Sequence, residues 1–319
     1  MNVSTSKVAI VGCGFVGSST AFSLVTQGIC DEIMMIDINE EKALGEVKDL
    51  KNAIRYLNRN VRVRVGHYED CKDVDIVIIT AAVPGGPGRS RLDMAEGSAK
   101  ICKSIVEPIM ASGFDGIFLV VSNPVDIMAH FVYKLSGLPK NQVIGTGTSL
   151  DSARLANFIA DLVNMDPRNV HAYCMGEHGD SQMVPWSTVT VAGKSFYDLV
   201  DDNKELIGDV DLDELVRMTT REGWEIVTRK GTTYYGIASA CAGIVKAILQ
   251  DENRIIPVST LLEGEYGEYD VYAGVPVVLN RTGASDIGVL RLTPEELEKF
   301  KASVAIIREN SEAIEKKLL

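Results

Sequence analysis

From residue 7 to residue 17 the chain reads Lys7 Val8 Ala9 Ile10 Val11 Gly12 Cys13 Gly14 Phe15 Val16 Gly17. An apolar run typical of a β-strand enters a Gly-x-Gly-x-x-Gly sequence, and a helix is predicted from Ser18 to Gln27. Gly12 permits a tight turn, Gly14 lets the backbone approach a pyrophosphate, and Gly17 lets the helix pack close to the strand. The amino end of the helix offers free N–H groups to an anion. This arrangement predicts a dinucleotide-binding site.

Asp37 closes a second apolar run and lies 20 residues after Gly17. A carboxylate at this offset accepts hydrogen bonds from a ribose diol and repels a 2′-phosphate, so it favours NAD over NADP. The next residues, Ile38 and Asn39, supply no arginine that would reverse this preference. We therefore expect NAD as the cofactor, with a plain glycine-rich strand–helix turn as the alternative interpretation.

Strand-like and helical segments alternate through the first half of the chain. This pattern is typical of βαβ units and a parallel sheet that is buried on both faces. The second half changes character: strands are predicted at Val170–Met175 and Ser187–Val191, and a capped amphipathic helix follows Thr293. The predicted fold class is α/β, a Rossmann-type doubly wound parallel sheet followed by an α+β substrate domain. We place the NAD-binding domain at residues 1–146 and the catalytic domain at residues 147–319.

Composition excludes several classes of partner. The chain has 319 residues and a formal net charge of −12, which argues against nucleic acid and against an anionic membrane surface. The six cysteines are scattered without a Cys-x-x-Cys pair, so we expect reduced thiols and no metal site. No apolar run reaches the ~18 residues of a membrane span, and no signal peptide is recognisable. These features predict a cytoplasmic protein.

Residues suited to chemistry follow several of the predicted strands. A Gly- and Pro-rich loop after Thr80 carries Arg89 and Arg91, and loops of this kind often act as lids. Asn123 ends another strand, where it either contacts a ligand or only fixes a turn. His178 follows an apolar segment and suits proton exchange near neutral pH. Asp151 and Arg154, three residues apart on a predicted helix, either pair with each other or serve separate partners. The two loop arginines could equally be solvated.

Several motifs in order resemble the L-lactate and malate dehydrogenase superfamily, most of all the bacterial L-lactate and L-2-hydroxyisocaproate dehydrogenases. The resemblance covers essentially the whole chain. It rests on motifs at residues 12–17 with 37, 80–93, 122–124, 144–154, 176–180 and 230–233. It implies reversible reduction of a 2-keto acid by NADH to an L-2-hydroxy acid, with L-lactate dehydrogenase as the first expectation.

The resemblance also implies a role for each matching residue. His178 corresponds to the histidine that exchanges a proton with the substrate oxygen, and Asp151 to the carboxylate that orients it. Arg154 corresponds to the arginine that holds the substrate carboxylate, and Arg91 to a lid arginine that polarises the carbonyl. Asn123 helps to place the substrate oxygen and the nicotinamide ring, while Thr233 lines the side-chain pocket. The predicted cofactor site comprises Gly12, Gly14, Phe15, Val16, Gly17, Asp37, Thr80, Ala81, Ala82, Val121 and Asn123.

Two departures from the family pattern bear on substrate choice. Gly85 stands where lactate enzymes of the family commonly place Gln and malate enzymes Arg. Glycine leaves space for a longer apolar side chain, which favours branched substrates over malate. Arg89 stands where lactate enzymes often carry an acidic or neutral residue, and if it turned inward it would accept a dicarboxylate. L-2-hydroxyisocaproate dehydrogenase and then malate dehydrogenase are therefore the alternatives.

Regulation and assembly are expected from the resemblance alone. Family members activated by fructose 1,6-bisphosphate use an arginine two residues after the carboxylate-binding arginine and a histidine seven residues before the catalytic one. Ala156 and His171 stand at these positions, so half of the phosphate site is present and activation is expected to be weak or absent. The resemblance also implies a homo-oligomer, either a tetramer or a dimer.

Other classes of protein fit the chain less well. A protein that binds NAD without chemistry would not need His178, Asp151, Arg91 and Arg154 together. A sugar oxidoreductase or epimerase on the same nucleotide fold would need a Tyr-x-x-x-Lys pair, and Tyr133 followed at once by Lys134 does not supply it. An NAD-using glycosidase would need a well-placed pair of metal-ligating cysteine and histidine residues.

Overall fold

The structure is a computed structural model that describes residues 5–83 and 91–319, without the side chains of residues 91–93 and 206. The predicted site positions Gly85 and Arg89 lie outside the described residues. Arg91 begins a helix, but its side chain lies outside the description too. Of the described helices, none is both long and apolar enough to cross a membrane.

The first half of the chain forms the predicted βαβ units. Six strands run parallel in the order β3-β2-β1-β4-β5-β6, so the strand order reverses between β1 and β4. Strands β1, β2, β4 and β5 are apolar and buried almost throughout, which is the pattern of strands covered on both faces. The elements are β1 (Lys7–Val11), α1 (Phe15–Gln27), β2 (Glu32–Ile36), α2 (Glu40–Ile54), β3 (Arg62–Val65), β4 (Ile76–Ile79), α3 (Arg91–Ala111), β5 (Ile117–Val120), α4 (Val125–Ser136) and β6 (Val143–Gly145).

The second half mixes helices with antiparallel strands. Within the described residues, three of its strands make a small separate sheet, and three others extend the large sheet beyond β6 in the order β10-β11-β12. The elements are α5 (Ser149–Val163), β7 (Val170–His171), β8 (Thr190–Val191), β9 (Lys194–Ser195), α6 (Phe196–Asp202), α7 (Lys204–Ile207), α8 (Leu212–Lys230), α9 (Tyr235–Leu249), β10 (Arg254–Glu263), β11 (Tyr269–Asn280), β12 (Gly283–Ile287) and α10 (Pro294–Leu318).

The two halves of the chain share one sheet. Strand β10 pairs with β6 at a single position, Ser259 opposite Gly145, and then pairs with β11 along its whole length. This mixed sheet with helices on it confirms the predicted α/β fold class. The division into domains at residues 146 and 147 stays a prediction, since the sheet itself continues across it.

Two predicted strands were too long. The segment Val170–Met175 is a strand only at β7, after which Met175 makes an isolated bridge to Met183. The segment Ser187–Val191 begins inside a short 3-10 helix and becomes extended only at β8. Most apolar residues of both segments are buried in a separate, second core cluster, and several of them lie on irregular backbone. Their apolar pattern therefore overstated the regular structure.

The long carboxy-terminal helix α10 follows the sequence prediction closely. The Thr293 hydroxyl accepts the N–H of Glu296, while the Glu296 carboxylate accepts the N–H of Thr293, which is a complete capping box. Its apolar stripe, including Phe300 and Val304, is buried against α3, α4 and β11. Helix α10 therefore lies against the elements that surround the site described below.

Candidate active site

The carboxyl ends of β1, β4 and β5 meet where the strand order reverses, which is the usual ligand position in such sheets. The loop after β1 holds the glycine-rich sequence. Thr80, after β4, donates its hydroxyl hydrogen to the carbonyl oxygen of Gly12 at 2.8 Å and so ties the two strand ends together. Asn123 follows β5 and precedes helix α4.

The three glycines fit the cradle of a dinucleotide. Gly12 has a φ of +102°, and a Cβ there would lie 2.9 Å from the backbone nitrogen of Ala81. A Cβ on Gly17 would lie 1.9 Å from the carbonyl oxygen of Gly12, so helix α1 can approach β1 only with glycine here. A Cβ on Gly14 would meet nothing within 4 Å, because Gly14 faces open space at the start of α1. That space, at an uncapped helix terminus, fits a pyrophosphate.

Asp37 lies at the carboxyl end of β2 and is held by the backbone. Its Oδ2 atom accepts the N–H of Cys13 at 2.7 Å, and its Oδ1 atom accepts the N–H of Asn39 at 2.9 Å. A carboxylate fixed in this way beside the glycine-rich loop still has lone pairs for a ribose diol. Ile38 is almost fully exposed and brings no positive charge. The residues present therefore fit NAD.

A cavity of about 480 Å³ joins the nucleotide loop to the predicted chemistry. Six of its lining residues belong to the predicted site: Val16, Thr80, Ala82, Val121, Asn123 and His178. A larger cavity of about 750 Å³ lies at the opposite, amino-terminal ends of the strands. That larger cavity is lined by charges of both signs, and the predicted site residues lie outside it, so volume alone would have misplaced the site.

His178 and Asp151 form a close pair. The Nδ1 atom of the histidine lies 2.5 Å from Oδ2 of the carboxylate, which is buried in the first turn of α5. Burial alone would lower the pKa of His178, but the charge and hydrogen bond of Asp151 outweigh it and raise this pKa to about 9. Burial would raise the pKa of Asp151, but the charges and hydrogen bonds of His178 and Arg154 hold it below its usual value. The pair thus favours a protonated imidazole beside an ionised carboxylate.

Arg154 is also drawn to Asp151. Its Nη1 atom lies 3.1 Å from Oδ1 of the carboxylate, so one buried acid serves both the histidine and the arginine. The far side of the guanidinium lies against Gly223 of α8, where a Cβ would come within 3.4 Å of Nη2. Of the two alternatives left open by the sequence, the structure shows the salt bridge between Asp151 and Arg154, and Asp151 also pairs with His178. A separate partner for Arg154 stays a prediction.

The loop that carries His178 is held at three successive backbone amides. The N–H of Gly176 donates to the carbonyl of Gly274 on β11, the N–H of Glu177 to the hydroxyl of Ser303 on α10, and the N–H of His178 to Oδ2 of Asp126 on α4. The distances are 2.9, 2.8 and 2.8 Å. Asp126 and Ser303 belong to none of the motifs recognised in the sequence. An acid in the first turn of a helix is so common that its position gave no signal.

Thr233 is not among the residues that line the cavity. It lies between α8 and α9, next to Tyr234, whose ring stacks on that of Phe15 at a centroid distance of 5.4 Å. This contact places the Thr233 segment beside the glycine-rich loop.

Among the described residues, no group of three or more His, Cys, Asp or Glu side chains could hold a metal ion.

Comparison with known proteins agrees with this geometry. Residues 6–145 match the family model described as lactate/malate dehydrogenase, NAD binding domain, and residues 148–318 match its alpha/beta C-terminal domain. An L-lactate dehydrogenase 3 of Bacillus cereus is 54% identical over 97% of this chain and 98% of its own length. An L-lactate dehydrogenase of Lactococcus lactis subsp. cremoris is 45% identical over 98% of this chain and 100% of its own length.

Solved structures show the same likeness. The crystal structure of a minor L-lactate dehydrogenase from Enterococcus mundtii, in a ligand-bound form, superposes with a TM-score of 0.94. It is 44% identical, and the match covers 98% of this chain and 99% of that one.

A dinucleotide fold with a carboxylate-paired histidine in its cavity defines an NAD-dependent oxidoreductase. The chain belongs to the lactate/malate dehydrogenase family, and the sequence predictions of family and cofactor are confirmed.

Proposed function

We propose that this chain is an NAD-dependent L-lactate dehydrogenase, which interconverts pyruvate and L-lactate. The observation that carries the proposal is the joining of the nucleotide loop and the His178–Asp151 pair by one cavity. The names of relatives that are 45–54% identical over nearly their full lengths support the choice of substrate. The stereochemistry rests on the same relatives.

In this proposal His178 is the acid in pyruvate reduction and the base in lactate oxidation. Its Nδ1 atom is engaged by Asp151, so Nε2 is the nitrogen that delivers the proton to the substrate oxygen. Asp151 fixes the ring orientation and stabilises its protonated form. When bound, NADH supplies the hydride that the carbonyl carbon receives. The balanced reaction is pyruvate, NADH and a proton giving L-lactate and NAD⁺.

Arg154 is proposed to hold the substrate carboxylate. A planar guanidinium with several N–H donors suits a bidentate hold on a carboxylate, even while one N–H group stays on Asp151. Its side chain is only 11% exposed, so water competes little for this contact. Arg91 is proposed to polarise the carbonyl, and Asn123, which lines the cavity, to help place the substrate oxygen. Thr233, Gly85 and Arg89 remain proposed determinants of side-chain preference.

The nucleotide is proposed to lie along the glycine-rich loop. Gly14 and the start of α1, with Phe15, Val16 and Gly17, would hold its pyrophosphate, and Asp37 its adenosine ribose. Thr80, Ala81, Ala82, Val121 and Asn123 surround the adjoining strand ends and would flank the nicotinamide half. A homo-oligomer and a cytoplasmic location remain proposals that rest on the family likeness.

The decisive experiment compares pyruvate, oxaloacetate and 2-ketoisocaproate as substrates by kcat/KM, from the rate of NADH oxidation. We expect pyruvate to lead. If kcat/KM were highest for 2-ketoisocaproate, the chain would be a hydroxyisocaproate dehydrogenase, and Gly85 would account for its wider pocket. A lead for oxaloacetate would mean that Arg89 serves a second carboxylate, and it would contradict the proposal.

The same assay with His178→Ala separates an enzyme from a protein that only binds NAD. An enzyme loses turnover in this variant while it still binds NADH, whereas a binding protein has no turnover to lose. His171→Ala is a suitable control, because His171 is exposed on β7 and lies outside the cavity lining.

A further inference from the structure

Asp126 is a second acid beside His178, and the sequence motifs assigned it no role. It lies in the first turn of α4 and is only 3% exposed. Its Oδ2 atom accepts the backbone N–H of His178 at 2.8 Å. Its Oδ1 atom is buried without a hydrogen bond of good geometry among the described residues, although the Ser259 hydroxyl on β10 lies close enough to stabilise the carboxylate. A buried carboxylate so poorly satisfied is costly and calls for a functional reason.

The charge of Asp126 is retained at neutral pH. Burial raises its pKa to about 6, although the nearby Ser259 hydroxyl and the N–H and charge of His178 oppose that rise. The charge of Glu177 adds to the rise. With a pKa of about 6 the group is mostly ionised at pH 7, so it presents a negative charge to the catalytic loop.

The histidine ring responds to charges from two helices. Asp151 on α5 contributes most to raising the pKa of His178, Asp126 on α4 adds to it, and Arg154 on α5 opposes both. Asp151 contacts the ring itself, whereas Asp126 contacts the main-chain N–H of the same residue. The two acids therefore contact different parts of one residue.

We propose that Asp126 is a positioning residue for the reaction assigned to His178: it fixes the histidine main chain and stabilises the protonated ring by its charge. This inference rests on the proposed function, since a proton-donating histidine is what the second acid would serve. A neutral side chain of the same shape would keep the hydrogen bond to the His178 N–H and lose the charge.

Asp126→Asn separates these two contributions. Without the charge, the protonated ring is less stable, so the His178 pKa should fall by about 0.5–1 unit. Pyruvate reduction needs the protonated ring, so its kcat/KM should decline at a correspondingly lower pH than in the parent protein. At pH 7 the change in kcat/KM should be small, and near pH 9 it should be several-fold. A purely structural role would lower activity evenly across pH.

The direct measurement is titration of the His178 ring by NMR with isotope-labelled histidine. The chain has only four histidines, and the His178 signal is identified by its loss in His178→Gln. Asp286→Asn is the matched control, because Asp286 is an exposed carboxylate on β12 at the far end of the sheet. It changes the net charge equally. Ser303→Ala removes the neutral acceptor of the adjacent amide and should leave the His178 pKa unchanged.

The outcomes are distinct. A lower His178 pKa in Asp126→Asn, with no shift in Asp286→Asn, supports the inference. An unchanged His178 pKa in folded Asp126→Asn overturns it. If the asparagine variant fails to fold, Asp126→Ser offers a smaller neutral acceptor for the same titration and the same criterion. A shifted titration in a chain that turns over none of the three keto acids would support the charge effect and overturn the proposed function.

Discussion

The Nδ1 atom of His178 lies 2.5 Å from Oδ2 of Asp151, and the other oxygen of the same carboxylate lies 3.1 Å from Nη1 of Arg154. One buried acid therefore sets the position of both groups that the proposed reaction needs. Because the acid sits in the first turn of α5, the helix dipole adds to the stability of its negative charge. The proposed proton donor and the proposed carboxylate anchor are thus positioned by a single residue.

Replacing Asp151 should affect chemistry far more than cofactor binding. In Asp151→Asn the imidazolium loses its counter-charge and the ring loses its fixed tautomer. We expect kcat for pyruvate reduction to fall by about 10²- to 10⁴-fold, with NADH affinity nearly unchanged. Steady-state kinetics and NADH fluorescence titration measure the two quantities. Asp161→Asn, on an exposed position of the same helix, is the control. Activity of Asp151→Asn within about threefold of the parent would contradict the role of the pair.

Fructose 1,6-bisphosphate should not activate this chain appreciably. His171 is exposed on β7, but Ala156 on α5 has no charged group with which to bind a second phosphate oxygen. A single histidine without an arginine beside it is a weak anchor for a doubly phosphorylated sugar. The measurement is the pyruvate half-saturation concentration with and without the sugar bisphosphate. A clear fall on addition would show that other residues complete the phosphate site.

His130 should make the protein sensitive to acid. It lies on the buried face of α4 and stacks on Tyr272 of β11. Its Nε2 atom lies 3.6 Å from a carboxylate oxygen of Asp270 and 3.5 Å from one of Glu315. Burial and the charges of Lys134 and Arg308 lower its pKa from 6.5 to about 4, although Asp270 opposes them. Between pH 6.5 and pH 4 His130 is therefore protonated in the unfolded chain but not in the folded chain. As the pH falls through this window, the free energy of unfolding decreases by about 3 kcal/mol at most.

The variant His130→Phe tests this dependence. Phenylalanine keeps an aromatic ring against Tyr272 and cannot be protonated, so its free energy of unfolding should fall less than that of the parent between pH 7 and pH 4.5. Urea unfolding at the two pH values measures the difference. His67→Gln is the control, since the side chain of His67 is 60% exposed. Equal losses in the parent and in His130→Phe would show that other groups govern acid sensitivity.

The parallel half of the sheet was predictable because its strands are buried on both faces and read as short apolar runs between glycine, polar and helical segments. Strand β10 was missed. It contains Pro257, which argues against a central strand. In the structure β10 pairs with β6 only at Ser259, so Pro257 lies beyond that ladder, opposite Pro276 of β11. Only the pairing of β10 with strands distant in sequence shows how this strand accommodates Pro257.

The residues of the site also fall into two groups, those that were predicted from the sequence and those that were not. His178, Asp151 and Arg154 were identified through motifs in the correct order, and the structure brings them together. Asp126 and Ser303 were not, because each acts on the histidine loop through a backbone N–H, and any sequence supplies that donor. Residues that bind a side chain of particular chemistry leave a pattern in the sequence. Residues whose contact is with a main-chain N–H do not.

Two glycines of the nucleotide loop should respond differently to the same added methyl group. In Gly14→Ala the new Cβ meets nothing within 4 Å and φ is −73°, so the melting temperature should be unchanged. The methyl group would nevertheless occupy the space proposed for the pyrophosphate. Overpacking of about 1–3 kcal/mol corresponds to roughly 5- to 150-fold weaker NADH binding. In Gly17→Ala the Cβ would lie 1.9 Å from the Gly12 carbonyl oxygen, so stability itself should fall. Thermal unfolding and NADH titration of both variants separate the effects, and unchanged NADH affinity in Gly14→Ala would mean that the pyrophosphate lies elsewhere.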